Sequence, residues 1–156
     1  MSRKPVTNIS VSYNVALVTV DNLPNSINII SEIFNSIARQ KINIDMISQT
    51  PPYKGSISLS FSIPSEDLVK AIAALNGFKK DVPNLHIDVD ADNTKISIYG
   101  EEMKNLHGVA ARLFTVLAAN GIEMKLVTTS EVDISCLIYE KDVDRAIQAI
   151  KKEYGL

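Results

Sequence analysis

One segment of this chain occurs twice, about eighty positions apart. The first copy runs Ile33-Phe34 through Lys41-Ile42-Asn43-Ile44-Asp45-Met46-Ile47, and the second runs Leu113-Phe114 through Gly121-Ile122-Glu123-Met124-Lys125-Leu126-Val127. Each copy reads as an amphipathic helix feeding an alternating strand. A repeated helix–strand unit constrains the fold more tightly than composition does. It predicts a tandem of small α/β modules, each with its own core, rather than one catalytic domain.

The residues around the first copy predict a full module. Val15-Ala16-Leu17-Val18-Thr19-Val20 is rich in β-branched residues and reads as a buried strand. The stretch from Asp21 to Ser26 is turn chemistry, with Asn25 or Ser26 placed to cap a helix. Ile29, Ile30, Ile33, Phe34 and Ile37 then share one helical face. Ile42, Ile44 and Met46 alternate with Asn43 and Asp45, the pattern of a strand with one buried face. After a loop at Pro51–Gly55, Ile57, Leu59, Phe61 and Ile63 alternate with four serines. Pro64-Ser65 opens a helix carrying Leu68, Ile72 and Leu75, which Asn76-Gly77 ends. Leu85 to Val89 closes the module in the order β-α-β-β-α-β, the ferredoxin-like arrangement.

The second module repeats the order with strands at Ile96–Gly100, Met124–Thr129 and Ile134–Ile138. Its helices are opened by Gly108 and marked by Val143, Ile147 and Ile150. It lacks a fourth strand. A spare one, Val6 to Ser12, stands at the other end of the chain, and an unpaired sheet edge is a liability. The expectation is therefore an α+β fold of two ferredoxin-like units, the first nested in the second. The first would span 14–91, and the second 6–12 plus 94–156, with Asp90 to Thr94 as a short polar turn between them.

Composition removes several classes of function. Apolar residues make up 46% of 156 positions, enough for cores, and the net charge is −2 with no basic run. That argues against nucleic acid or an anionic membrane surface as partner. An RNA-binding ferredoxin-like domain would stack bases on aromatics in its central strands, and here Phe61 stands alone. No apolar run approaches the ~20 residues of a membrane span. Met1-Ser2-Arg3-Lys4-Pro5 is followed by no apolar stretch, so a secretory signal is not expected. Cys136 is the single cysteine, and with it these features predict a cytoplasmic protein. His86, His107 and Cys136 form no metal or catalytic pattern, and neither a metal nor a cofactor is expected. Cys136 and the methionines read as core filler. Thr128-Thr129-Ser130-Glu131 is either a mechanistic hairpin or a plain polar turn.

Three stretches resemble a known family: Ile42 to Gln49, Thr128 to Ser135, and Gly100-Glu101-Glu102-Met103-Lys104 with Gly108-Val109-Ala110. The chain from Val6 onward resembles the regulatory region of aspartate kinases, built of two ACT modules, each an antiparallel sheet with two helices on one face. In that family, too, the first module is inserted in the second. The resemblance includes no kinase, because nothing before Val6 supplies groups that cradle phosphates and position magnesium. It implies no enzyme in this chain alone, which would be either a C-terminal fragment of an aspartate kinase or a stand-alone regulatory counterpart. The implied function is allosteric sensing of an amino acid, lysine first and threonine second, for feedback control of aspartate-family amino-acid biosynthesis. The implied partners are a kinase domain and a second copy, paired through the ACT modules as a homodimer.

The resemblance also places a site. Effectors in the family sit at an interface between modules, between the loop before the first helix and a neighbouring strand. Carried over, the candidates are Leu23, Ser26, Ile29 and Ile30, with Ile44, Asp45, Gln49 and Thr50 from the strand. The chemistry suits an amino acid. A helix N-terminus receives a carboxylate, and an acidic side chain such as Asp45 receives an ammonium. Without the resemblance, Asp45 reads as a solvated carboxylate on an open sheet face. The loop Asn22–Asn28 is longer than the Asp-x-Pro-Gly turn of many members and looks more like lysine-responsive forms. In the second module Lys125 stands where Asp45 does in the first and would repel an ammonium. His107 also replaces a frequent Pro there. The first module is therefore expected to bind effector and the second to serve mainly as an interface. The departures at Asn25, Asn28 and Lys125 support the alternative, a ligand-free dimerisation module.

Overall fold

The computed structural model describes residues 3–156. The first two residues of the stretch read as no secretory signal lie outside this range. The chain forms two compact units, Asn14–Ala91 and, around it in sequence, the residues up to Tyr13 together with Asp92–Leu156. The fold is α+β, with one ferredoxin-like unit inserted in another.

In the Asn14–Ala91 unit, the later part of β1 (Asn8–Pro24) leads to α1 (Ile27–Arg39), β2 (Ile47–Gln49), β3 (Ser56–Pro64), α2 (Leu68–Asn76) and the start of β4 (His86–Tyr99). The strand order here is β2-β3-β1-β4. β1 and β3 pair antiparallel from Val15 opposite Pro64 to Pro24 opposite Ser56. The period-2 pattern does its work on β3. Ile57, Leu59, Phe61 and Ile63 are buried with Ile33 and Ile37 of α1 and Ala71 and Leu75 of α2, so both helices cover one face. Phe61 is fully buried and meets Phe34 edge-on at 5.8 Å. Its burial is worth about 2–3 kcal/mol, with roughly 1 more from the ring pair. On the other face, Thr19 and Ser60 share a 3.1 Å hydrogen bond.

The second unit uses the beginning of β1, the later part of β4, α3 (Val109–Ala119), β5 (Met124–Thr129), β6 (Asp133–Tyr139) and α4 (Val143–Tyr154). Its order is β1-β4-β6-β5. The N-terminal segment is fixed to β4 by the Thr7 amide, which donates to the Tyr99 carbonyl at 2.8 Å. Val6 is fully buried in a core with Ile96, Ile98, Leu113, Ile134, Cys136 and Ile150. Gly100 lets the segment approach: a Cβ there would lie 1.9 Å from the Pro5 carbonyl oxygen.

Three expectations are corrected. Asp90 to Thr94 is no turn but the middle of β4, with Asn93 and Thr94 buried. Asp92 turns left-handed (φ 63°), so the chain changes direction without leaving the strand. Likewise Val6–Ser12 and Val15–Val20 are not separate strands. β1 begins at Asn8 and runs unbroken through the rest of the first and all of the second, with Asn14 at φ 56°, and continues to Pro24 through residues expected to form a turn. Finally, Ile42 to Met46 keeps its burial alternation but is not regular strand. The Asp45 amide donates to the Ser62 carbonyl (3.1 Å) and the Met46 amide to the Ser62 hydroxyl (2.9 Å). The side-chain bond replaces a ladder bond, and regular pairing begins only at Ile47 opposite Phe61.

Candidate functional site

The loop before α1 is shaped by a bulge. Val20 pairs with Leu59 but Leu23 with Ile57, so β1 carries one residue more than β3 over this span. Asn22 absorbs the excess at φ 62°, a conformation Asn tolerates better than most residues. Side chains lock it in place. Asp21 accepts a 2.6 Å hydrogen bond from the Ser58 hydroxyl and lies 3.6 Å from His86 Nδ1, and Asn22 Nδ2 donates to the Asn84 carbonyl at 3.0 Å. The Asn25 amide donates to the Gly55 carbonyl at 3.0 Å.

Leu23 is fully buried, so its side chain anchors the loop in the core and offers a ligand only backbone. Ser26 is the N-cap residue of α1, but its hydroxyl makes no capping bond, and the first turn carries no acidic residue. The amides at the start of α1 are left to solvent or to an anion. Ile29 and Ile30 are half-buried against the unit's core.

The strand residues divide between two places. Thr50 lies near the loop: its amide donates to the Ser58 carbonyl (3.0 Å) and its hydroxyl accepts from the Ser58 amide (2.9 Å). Gln49 pairs with Leu59. Both lie one strand beyond β3, opposite residues next to those that pair with the loop. Asp45 bonds to Ser62 instead, five residues along β3 from the partner of Leu23. At about 3.4 Å per residue that is roughly 17 Å. Within one chain, then, Leu23, Ser26, Gln49 and Thr50 gather at one end of the sheet, and Ile44 and Asp45 lie toward the other. Asp45 is exposed.

The second unit has a cleft of about 270 Å³ at the matching position, between the loop before α3 and the β5–β6 hairpin. Met103, Leu106, Val109 and Ile134 form apolar walls, and Thr129, Ser130 and Glu131 supply polar groups. None of the eight expected residues lines it. Gly108, at φ 78°, leads into α3, whose first turn again carries no acidic residue. The Ser130 amide donates to the Asp133 carbonyl at 2.9 Å and closes the hairpin. Lys125 is outside the cleft. Its ammonium stands 3.7 Å over the Tyr139 ring and donates to Asn93 Oδ1, a partly buried structural role.

The fold and clefts can be set beside known proteins. The ACT domain family matches residues 18–77 and 96–154, once in each unit. The chain belongs to the ACT domain family. Its ACT modules are similar to the regulatory part of aspartokinases. An aspartokinase of Bacillus sp. (strain MGA3) is 36% identical over 151 residues, which is 97% of this chain and 37% of that protein. The chain thus spans little more than a third of that relative's length. A chain in the crystal structure of aspartokinase alpha and beta subunits is 31% identical, with a TM-score of 0.88 over 97% of this chain and 99% of that one. The ligand-free regulatory subunit of aspartate kinase from Thermus thermophilus shares the fold at a TM-score of 0.88 and 24% identity.

Sequence reasoning missed the Asp21–Ser58–His86 cluster, because three polar residues on three strands show no spacing signal. It did single out the hairpin from Thr128 to Glu131, which lines the second unit's cleft. Cys136 is buried, and burial, aided by the nearby Asp133 charge, pushes its thiol up to about 12. Among the described residues no group of three His, Cys, Asp or Glu side chains is placed to hold a metal, and no helix is long and apolar enough to cross a membrane.

Proposed function

We propose that this chain is the amino-acid-sensing module of a cytoplasmic aspartate kinase and itself performs no phosphoryl transfer. The observation that carries this reading is the match to an aspartokinase subunit chain over essentially the whole length of both, joined to uncapped helix starts beside polar strand ends. Lysine is the first candidate effector and threonine the second, in feedback control of aspartate-family biosynthesis. Its carboxylate takes the amides at the start of α1 and its ammonium takes Asp45. Because Asp45 lies about 17 Å along β3 from the loop, the two contacts come from different copies, and the ligand closes a seam in a homodimer. A ligand in the seam shifts the attached kinase domain only by its differential affinity for two packings, typically ~1–3 kcal/mol.

A second location has an observation of its own, the 270 Å³ cleft with Glu131 opposite the start of α3. Calorimetric titration of the chain with lysine and with threonine, followed by mass measurement, tests the function. Saturable heat with a change in mass supports it. No heat at millimolar ligand leaves the ligand-free dimerisation module. Asp45→Ala abolishing binding assigns the first unit, and Glu131→Ala abolishing it assigns the second.

A further inference from the structure

The second unit has another cleft, of about 250 Å³, on the side of α3 that faces the N-terminal segment. Arg3, His107 and Arg112 line it above a floor that includes Leu106 and Val109. The guanidinium of Arg112 is held in place before any ligand arrives. Its Nε donates to Glu153 Oε1 at 2.6 Å and its Nη2 to the Glu153 carbonyl at 2.8 Å. Its carbon stands 4.8 Å over the Tyr154 ring, and the Tyr154 hydroxyl is tied to the Val109 carbonyl at 3.2 Å. These contacts engage one edge and one face of the fork. Among the described residues, Nη1 donates no hydrogen bond.

The Arg3 pair with Glu102 is loose, 3.5 Å between side chains 66% and 39% exposed, so it resists displacement weakly. A guanidinium with its rotamer already fixed and a free edge forms charge-assisted bonds at little further entropic cost. Arg3 adds a second positive charge and His107 a donor.

We propose that this cleft binds a small doubly charged oxyanion, a phosphate or a dicarboxylate, held by Arg112 with Arg3 and His107. The site shares Leu106, Gly108 and Val109 with the second unit's amino-acid cleft, but its three basic side chains line this cleft alone. It stands whether or not the chain senses lysine.

The test is NMR titration of the full chain at low, constant ionic strength with inorganic phosphate, with succinate, and with chloride as control. The signals followed are the amides of His107 to Ala110 and Arg112 Nε–H. Saturable shifts with phosphate or succinate but not chloride are expected, and whichever binds more tightly names the source. Arg112→Gln should weaken binding at least about tenfold. Because Arg112 also braces α4, Arg3→Gln, a change at an exposed side chain, is run beside it and should weaken binding by a smaller factor. Asp45→Ala should leave it unchanged. Shifts no larger than chloride produces, or an affinity in both Arg112→Gln and Arg3→Gln equal to that of the parent, would overturn the proposal.

Discussion

Single residues set how tightly the second unit is joined, and Gly100 is the clearest case. Gly100→Ala drives a Cβ to 1.9 Å from a backbone oxygen, which no side-chain rotation relieves. The first residues of the chain must move off β4, at a cost of about 3 kcal/mol or more. Urea denaturation should show the loss, and amide exchange should confine it to the second unit. A midpoint like that of the parent would mean Pro5 does not lie where the structure has it. Cys136 makes a second residue-level prediction. Its folded thiol stays protonated up to about 12 while the unfolded chain ionises near pH 9. Between those values the unfolded state holds fewer protons, so stability falls as pH rises, by up to about 1.4 kcal/mol per pH unit. Below pH 8 the term is fully present. Cys136→Ala should flatten this alkaline slope, and native Cys136 should resist iodoacetamide at pH 8 until the chain is unfolded. The core role of Cys136 was legible from its alternating strand. The structural role of Lys125 was not legible: its charge led to the expectation that the position would repel an effector's ammonium, and gave no sign that its own would settle on Tyr139 and Asn93.

Elements tell more about why sequence reading stopped where it did. Helix and strand types followed from hydrophobic period, because burial on one face is what the period records. Their ends did not. β1 and β4 each absorb a polar stretch that reads as a turn, since Asn14, Asn22 and Asp92 take left-handed conformations inside a strand. Asn and Asp are favoured in turns for the same backbone tolerance, so composition alone does not separate the two uses. The site suffered in the same way. Alternation told which face Asp45 occupies, but its distance from the loop depends on register, and register is fixed by the Ser62 bonds and the Asn22 bulge, neither of which has a period. The beginning of β1 is the element whose loss is most informative. Deleting residues 3–12 removes the fully buried Val6 and leaves the later part of β4 as an open edge. Hydrogen exchange should show β4 to β6 losing protection while β3, α1 and α2 keep theirs. Uniform loss across both units would show that their stabilities are coupled.

At the scale of the whole molecule, nesting makes the second unit discontinuous in sequence while β1 and β4, the strands that leave and re-enter it, are hydrogen-bonded neighbours. Covalent continuity through Asn14–Ala91 should therefore be dispensable for the second fold. Removing that segment and joining Tyr13 to Asp92 through Asn-Gly converts the two strands into a hairpin. Asn-Gly is the two-residue turn whose twist suits such a connection. The shortened chain keeps every residue of the core that contains Val6, Ile98, Leu113 and Ile150, and shortening the loop lowers its closure entropy cost. It should fold cooperatively, with the Thr7 amide still protected by the Tyr99 carbonyl, and should retain phosphate binding if the Arg112 cleft is real. It should not retain any ligand response that needs Asp45. Circular dichroism, exchange at Thr7 and phosphate titration of this one variant read the three expectations separately. A collapsed chain without protection at Thr7 would show that the first unit is needed to form the second, and that the nested order reflects a folding dependence rather than only a route of the backbone.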